Sequence, residues 1–434
     1  MRCAFYEKEV TPPLGGDIPG YYVHRLTEDV VDRLFTRAVV FAPDADDPKQ
    51  TIAVLTLDAV NCHRALGDAI KARVTEFTGI PYENIAVIAN HSHYGIPHGG
   101  YGSDRDDQYM DLLPRLAADT ITLAYKRLQK CKLTYGLGKE EGLAFVRDYV
   151  IDNGTIVTNP RKFVDRLVKH YSDSDPDLPV LTAYAEDGKP LGVLFAYALH
   201  QDTVGGKVYS GDFSSEIANV LKAKYGPDFG SIFVPGFCGD INHHDYFSGS
   251  MRKHWQIGRQ LAAAVARVAE QESAPVTDET LDVCYRELEL KRREVTQEMI
   301  DHCNWVLEDP DNRKSPYMML GSNGYRQQLN YAKDVEGTPL ETMAPLQILR
   351  IGDVYFFVTP YEMYHQFAQP LKASAPSGKW IVSEMGNTES SYVAPLELMD
   401  TDIYPAWTCG GSWLEKAAGD KIVDAMKSMM ATMQ

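Results

Sequence analysis

The chain has 434 residues, of which 44% are hydrophobic and 24% are charged. This composition is typical of a globular protein and excludes a collagen, a coiled coil and a disordered chain. There are 43 basic and 60 acidic residues, so the formal net charge is −17. Nucleic acid is therefore excluded as a main ligand, because its binding depends on lysine and arginine neutralising phosphates.

The seven cysteines are scattered, and no CxxC pair occurs. This pattern indicates a reduced compartment rather than a disulfide framework. The amino-terminal segment lacks the apolar stretch of a signal peptide, and the longest apolar runs are far too short to cross a bilayer. We therefore expect a cytoplasmic protein without a membrane span. Nothing in the sequence indicates its oligomeric state.

Predicted strands and helices alternate through the first part of the chain. Short, nearly continuous apolar runs predict buried strands at residues 38–41, 51–57, 84–89, 191–198 and 231–235. Apolar residues at helical spacing predict helices at residues 66–77, 113–128, 214–224 and 255–271.

The pattern continues to the carboxyl terminus. We expect a strand at 281–290, a hairpin of 346–351 and 354–359 joined by Gly352-Asp353, and a strand at 380–384. Helices are expected at 361–368, ended by Pro370, and at 413–430. This alternation predicts an α/β fold with a layered mixed β-sheet and flanking helices. No break in composition divides the chain, so residues 1–434 are expected to form a single domain.

Two histidines follow one of the predicted strands. The run after residue 89 is Asn90, His91, Ser92 and His93. Side chains alternate along an extended chain, so His91 and His93 should point to the same side. They would lie at the carboxyl edge of a sheet, where α/β proteins bind ligands. The pattern fits either a metal site or a histidine-rich surface loop.

Other segments also place potential ligands where strands end. His200 follows a predicted strand and is either a structural hydrogen-bonding residue or a second zinc ligand, because zinc ligands come from separated segments. Asp58 and Asp212 could orient a ligand histidine from behind, although Asp58 could equally cap the next helix. Glu362, at the start of a predicted helix, is either a ligand or a partner of the helix dipole.

Motifs of other catalytic classes are absent from the sequence. It contains no HExxH, no GxSxG, no P-loop and no GxGxxG after a strand. The residues alone therefore predict a metal site made of histidines and carboxylates, and they leave the metal and the reaction open.

A series of short motifs runs along nearly the whole chain. It begins with residues 10–15 (VTPPLG), Gly20-Tyr21, 33–38 (RLFTRA) and 91–95 (HSHYG). It continues with Val146-Arg147, Asn159-Pro160, Leu199-His200, 210–212 (SGD), 360–362 (PYE), Asn387-Thr388, Tyr392-Val393 and Tyr404. The order of these motifs, with strands placed alike, resembles the catalytic domain of the neutral/alkaline (non-lysosomal) ceramidase family, in which the first three motifs match the opening pattern and HSHYG is similar to HTHSGP.

The resemblance implies a zinc hydrolase and assigns residues to the metal and to the reaction. It implies that zinc is bound by His91, His200, Glu362 and Tyr392. It also implies contacts to the scissile amide or its tetrahedral intermediate from His93, Arg147 and Tyr404. Tyrosine is rare in structural zinc sites, so the implied ligand set points to a catalytic site.

The sequence departs from the family in three ways. Asn242 occupies the position where the family has a serine that is proposed to act in catalysis, so we expect Asn242 to bind substrate and a zinc-bound water to attack. The chain also lacks the immunoglobulin-like carboxyl-terminal domain of full ceramidases, and no secretion signal is visible. These departures argue against a membrane sphingolipid as the substrate.

The sequence therefore predicts a zinc-dependent amidohydrolase that cleaves a linear amide bond of a small, soluble N-acyl compound. Two alternatives remain open. The same zinc scaffold could serve an esterase or a lactonase, or the protein could be a metal-containing binding protein that lost turnover together with the serine.

Overall fold

The computed structural model describes residues 1–45, 47–100, 102–312, 321–388 and 390–433. Within these ranges, no helix combines the length and the apolar character needed to cross a membrane. All seven cysteines lie in the described ranges, and no disulfide bond joins any two of them.

The larger of two main sheets is mixed. Its strands lie in the order Gly230–Pro235, Pro190–Tyr197, Asp177–Ala185, Gln129–Lys139, Arg2–Glu9, Phe35–Ala42, Ile52–Leu57 and Ile85–Ala89, and Ser273–Pro275 pairs with Gln129–Lys139. The two strands at each end of this order are parallel to each other, and the other pairs are antiparallel. The central strand Arg2–Glu9 meets Gln129–Lys139 only through Arg2 and Cys3.

The smaller sheet has the order Leu281–Lys291, Glu341–Ile351, Val354–Val358 and Trp380–Ser383. Its last two strands are parallel. Short strands pair in the loops: Asp29–Val30 with Val208–Tyr209, His98–Gly100 with Ser103–Arg105, Phe145–Val146 with Ile241–Asn242, His244–Asp245 with Ser250–Met251, Glu362–Met363 with Tyr392–Val393, and Asp148–Ile151 with both Ile156–Thr158 and Leu167–His170.

Within the described ranges the chain forms eight α-helices. They are α1 (Arg64–Thr78), α2 (Asp107–Tyr125), α3 (Asp212–Tyr225), α4 (His254–Gln271), α5 (Gln297–Glu308), α6 (Ser322–Asp334), α7 (Ala368–Ser374) and α8 (Ala418–Ala431). Helix α2 begins earlier than the apolar spacing predicts, because the Asp106 carboxylate accepts a hydrogen bond from Tyr109 N (3.1 Å) and caps the helix there.

The two sheets stack face to face, and helices cover their outer faces. Side chains such as Val54 and Phe356 form one apolar cluster between the sheets. Helices α1 to α4 cover the other face of the large sheet, and α7 and α8 cover that of the small sheet. The predicted α/β fold with flanking helices is thus confirmed, with two sheets forming its inner layers.

Two helix predictions near the carboxyl terminus are wrong. Residues 361–368 do not form one helix: Glu362–Met363 is a short strand, His365–Phe367 is a 3₁₀ turn, and α7 starts only at Ala368 and contains Pro370. The main chain cannot be helical at Tyr361, whose φ is +74°. The closing helix α8 begins at Ala418 rather than at Trp413.

Candidate active site

The carboxyl ends of strands from both sheets meet at one edge of the molecule. Glu384 N donates to the Pro235 carbonyl (3.1 Å) and joins the small sheet to the large one. Ser92 and Gln201 form a parallel bridge between two loops of the large sheet. The loops that leave these strands therefore enclose one site, and all eight residues predicted from the sequence lie in it.

His91 leaves the strand Ile85–Ala89 with a φ of +70°, which is strained for a residue with a side chain. The Nδ1 of His91 lies 2.7 Å from the Val60 carbonyl oxygen. A carbonyl can only accept, so Nδ1 carries a proton and Nε2 is the ring nitrogen left to bind a cation. That Nε2 is buried and has no hydrogen-bond partner in the described part of the chain.

His200 is held in the same manner. Its Nδ1 lies 2.8 Å from the Cys238 carbonyl oxygen and donates to it, so in the neutral ring Nε2 carries a lone pair that can accept from the Tyr392 hydroxyl. Nε2 is 3.4 Å from Glu362 Oε2 and 3.3 Å from the Tyr392 hydroxyl. Burial, assisted by the neighbouring His91, lowers the pKa of His200 to about 4 and keeps the ring neutral.

Glu362 places a buried carboxylate between the two imidazoles. Its Oε2 is 3.3 Å from His91 Nε2, whereas its Oε1 accepts a hydrogen bond from Ser390 Oγ (2.5 Å). Burial favours the protonated form of Glu362, but the His91 and His200 imidazoles outweigh burial and hold its pKa well below the usual range. Glu362 starts no helix, so a helix dipole does not account for its position.

Tyr392 reaches the site because its short strand pairs with that of Glu362. Burial raises the pKa of the Tyr392 hydroxyl well above its usual value, so the phenol stays protonated in the protein alone. A phenolate would form there only if a bound cation lowered that pKa.

His93 completes a group of three buried imidazoles. Each of His91, His93 and His200 has a ring nitrogen that lies within 4.8 Å of a ring nitrogen of the other two. Both ring nitrogens of His93 are buried without a hydrogen-bond partner among the described residues. Burial, followed by the neighbouring histidines, lowers the pKa of His93 well below its usual value, so the ring is neutral. His93 can therefore contact either a metal or a substrate.

Arg147 presents a buried guanidinium to the site. Nη1 donates to the Tyr392 hydroxyl at 3.5 Å, and the guanidinium lies 4.7 Å from the centre of the Tyr392 ring. Within the described ranges its Nε and Nη2 have no hydrogen-bond partner, although both are buried. Buried charged donors without partners are costly, so this arrangement suits a ligand oxygen that is bound only during function.

Tyr404 and Asn242 complete the predicted set. The Tyr404 hydroxyl is 2.6 Å from that of Tyr22, and its ring lies 5.0 Å from the Tyr392 ring. Asn242 Nδ2 donates to Asn159 Oδ1 (3.3 Å), and Asn242 Oδ1 accepts from His243 N (2.7 Å). Asn242 thus also stabilises the wall of the site.

A cavity of about 620 Å³ opens onto this group. Six of the eight predicted residues line it, and His91 and Glu362 lie behind them. The other lining residues are Gly20, Tyr21, Tyr22, Val157, Thr158, Asn159, Pro160, Arg161, Lys162, Phe163, Asp202, Gly321 and Ser322. The cavity is large enough for a small acyl compound.

The residues in this site fit a bound cation. One ring nitrogen each of His91 and His200 and one ionised carboxylate oxygen of Glu362 converge in a buried place. Two of these atoms, His91 Nε2 and Glu362 Oε2, have no hydrogen-bond partner among the described residues. Imidazole nitrogens and carboxylate oxygens are the kinds of donor that zinc binds in proteins.

Several supporting residues were not predicted from the sequence. The side-chain Nε2 of Gln201 donates to the Asn90 main-chain carbonyl (2.5 Å). The main-chain carbonyl of Gln201 accepts from His93 N (3.0 Å). Arg25 donates to the His93 carbonyl (2.7 Å), although it lies in a distant loop. Only Gln201 had a sequence signal, because it directly follows His200.

The two aspartates considered as supports for ligand histidines have other roles. Asp58 accepts from Asn90 Nδ2 (2.6 Å) and from Arg37 Nη1 (2.9 Å), so it supports the loop that carries His91 and caps no helix. Asp212 accepts from Thr203 N (2.8 Å) and from Phe213 N (2.6 Å), which stabilises the start of α3.

The whole architecture is found in solved structures. A neutral ceramidase from Pseudomonas aeruginosa superposes with a TM-score of 0.73 at 17% identity, covering 100% of this chain and 74% of its own. A ceramidase complexed with C2 gives a TM-score of 0.73 at 15% identity, covering 100% and 75%. This chain has the ceramidase fold. No protein-family model and no curated protein sequence matches it.

Proposed function

We propose that the protein is a zinc-dependent hydrolase that cleaves a linear amide bond of a soluble N-acyl compound. The observation that carries this proposal is the convergence of His91, His200 and Glu362 on one buried point beside a cavity. The ceramidase fold supports amide hydrolysis as the reaction. The cytoplasmic location expected from the sequence stays a prediction.

In this proposal the zinc ion is held by His91, His200, Glu362 and Tyr392. When bound, zinc supplies Lewis acidity toward the amide carbonyl and the attacking water. The Val60 and Cys238 carbonyls fix both histidine rings, and Ser390 fixes the carboxylate. Such outer partners orient ligands and increase metal affinity.

The remaining residues act on the amide. Hydrolysis adds water across the C–N bond and yields a carboxylate and an amine. Arg147 would donate hydrogen bonds from its unpartnered Nε and Nη2 to the oxygen that gains negative charge. A neutral His93 offers one N–H and one lone pair, so it can donate to the carbonyl oxygen or move a proton to the leaving nitrogen. Tyr404 would donate a hydrogen bond from the same wall.

A panel of N-acyl compounds tests this function. Acetyl and octanoyl amides of amines and amino acids are incubated with the protein, with and without a metal chelator, and amine release is measured. Matching esters and lactones are included. We expect amide cleavage that the chelator abolishes. Cleavage of esters or lactones alone would favour the esterase or lactonase, and no turnover of any compound would favour the binding protein.

The support of Glu362 by a glycine gives a further prediction. A Cβ on residue 239 would lie 2.6 Å from the Glu362 carbonyl oxygen, and the Gly239 N–H donates to the Met363 carbonyl (2.8 Å). Gly239→Ala should displace Glu362 and lower zinc affinity by about 10- to 100-fold, the usual effect of losing outer-shell support. A competition titration with a colorimetric chelator measures this.

Gly410→Ala is the matched control, because a Cβ at residue 410 would meet no atom within 4 Å. It should bind zinc as the wild type does. Equal zinc affinity in the Gly239→Ala and Gly410→Ala proteins would contradict this prediction.

The nucleophile gives another prediction. Because asparagine stands at position 242, we expect water to attack directly and no acyl-enzyme to form. Ser92 and Ser210 are poorly placed to act as the nucleophile instead. The Ser92 hydroxyl donates to the Ser210 main-chain carbonyl (2.7 Å), and the Ser210 hydroxyl donates to the Asp32 carboxylate (2.5 Å). Mass spectrometry of the protein quenched during turnover should find only the unmodified chain, and an acyl adduct would contradict this expectation.

Substitutions of Asn242 test two separate points, namely the hydrogen bond of its side chain during catalysis and its effect on which substrate is cleaved. Asn242→Ala should lower kcat by about fivefold, as expected for the loss of one hydrogen bond of roughly 1 kcal/mol. Asn242→Ser should not create ceramide hydrolysis. Efficient ceramide turnover by the unmodified protein would instead contradict the soluble substrate.

A further inference from the structure

We infer that the preferred substrates carry an acidic group close to the scissile amide, as N-acyl amino acids do. This inference rests on the proposed function and names the substrate class for the same site. It comes from the charges along one wall of the cavity, formed by residues 159–163.

This wall is basic in an acidic protein. Arg147, Arg161 and Lys162 line the cavity, and Asp202 is the one acidic side chain among the described lining residues. Asp202 accepts a hydrogen bond from the Tyr94 hydroxyl (3.0 Å). The chain as a whole carries 60 acidic and 43 basic residues. Basic side chains thus outnumber acidic ones in the cavity lining, whereas the molecule as a whole is acidic. This local positive charge attracts anions to the cavity.

The two outer cations are available to a ligand. Arg161 and Lys162 are exposed. Neither side chain forms an ion pair or a hydrogen bond with another residue in the ranges that the structure describes. Other lysines in this protein, such as Lys207 and Lys222, are paired with Glu28 and Glu7. Arg161 and Lys162 can therefore bind a carboxylate without first breaking an internal ion pair.

The main chain holds these cations in place beside the catalytic group. Asn159 N donates to the Arg147 carbonyl (2.8 Å), Arg161 N donates to the Asn159 carbonyl (2.7 Å), and Phe163 N donates to the Pro160 carbonyl (2.9 Å). Asn242 adds its side-chain bond to Asn159. The segment is thus attached to the residue that would bind the amide oxygen. A substrate whose carboxylate is bound by Arg161 and Lys162 would therefore lie in the cavity that Arg147 also lines.

The test compares two substrates of nearly equal size, N-octanoylglycine and N-octanoylethanolamine. They share the acyl chain and the amide and differ in whether the amine part ends in a carboxylate or a hydroxyl. We expect the wild type to show a kcat/KM at least about tenfold higher for N-octanoylglycine, because each exposed cation contributes a few-fold. The difference should shrink as salt is added, since exposed charges are screened.

The variant Arg161→Gln/Lys162→Gln should remove this preference. KM for N-octanoylglycine should rise about tenfold, and values for N-octanoylethanolamine should stay within about twofold of wild type. Lys169→Gln is the matched control, because Lys169 is an exposed lysine in the nearby strand Leu167–His170 and does not line the cavity. An unchanged preference in the double variant would overturn the inference.

Binding separates this inference from the proposed function. Calorimetric titration of both compounds into the metal-free protein should show tighter binding of N-octanoylglycine in the wild type and equal binding in the double variant. Tighter binding without any cleavage would support the charge preference and count against the amidase. Cleavage of both compounds with equal affinity and rate would support the amidase and overturn the charge preference.

Discussion

Alanine at position 200 or 91 should empty the proposed zinc site. His91 and His200 each supply an Nε2 lone pair beside Glu362 Oε2. Removal of either leaves the set one ligand short, and the buried carboxylate is then poorly compensated. We expect zinc affinity to fall by more than the 10- to 100-fold that loss of an outer partner costs, and amide cleavage to disappear. Elemental analysis of the purified variants measures the first effect.

His93 is the informative comparison, because one of its ring nitrogens lies within 4.8 Å of a ring nitrogen of each of the other two histidines. If His93 acts on the substrate, His93→Ala should retain zinc and lose turnover. His302→Ala, on α5, should keep both. Full zinc occupancy in both His91→Ala and His200→Ala would show that these histidines are only hydrogen-bonded ends of strands, and zinc loss in His93→Ala would make His93 a ligand.

Arg147→Ala should reduce turnover by about 10²- to 10³-fold while zinc content stays unchanged. The basis is a buried guanidinium with two donors that have no partner in the described chain, and an oxyanion-binding donor usually contributes an effect of this size. Arg147→Lys should not restore the rate, because lysine lacks the planar fork of donors. Steady-state kinetics and elemental analysis of the same samples measure both quantities.

Thermal unfolding is the control for Arg147, since its guanidinium also lies against the Tyr392 ring. A variant that melts near the wild-type temperature and has lost turnover supports a role in the reaction. Wild-type rates in both Arg147→Ala and Arg147→Lys would remove Arg147 from the site.

The elements found from the sequence were those with strong local patterns. Strands such as Ile85–Ala89 and Gly230–Pro235 are buried on both faces, so they appear as continuous apolar runs. The histidines at 91 and 93 were identified because they directly follow such a strand. The short strand Glu362–Met363 escaped prediction because its conformation depends on pairing with Tyr392–Val393, a contact between distant segments.

The ligand set itself could not be derived from local patterns. Glu362 and Tyr392 come from segments far from the histidines in sequence. The residues alone left the role of Glu362 open, and only the resemblance to ceramidases proposed Tyr392. The supports are still less visible, since Val60 and Cys238 contribute main-chain carbonyls that any residue type could provide. Arg25 reaches His93 through the fold alone. Sequence patterns located the edge of the sheet, whereas packing between distant loops determines the site.

The most direct test of the metal-dependent amidase is stepwise reconstitution. Metal-free protein is titrated with zinc while bound zinc and cleavage of an N-octanoyl amide are measured in the same samples. We predict that activity rises in proportion to bound zinc and reaches its maximum at about one zinc per chain, as expected for a single catalytic site. Full activity in the metal-free protein, or zinc bound to one equivalent without cleavage of any N-acyl compound, would contradict the account.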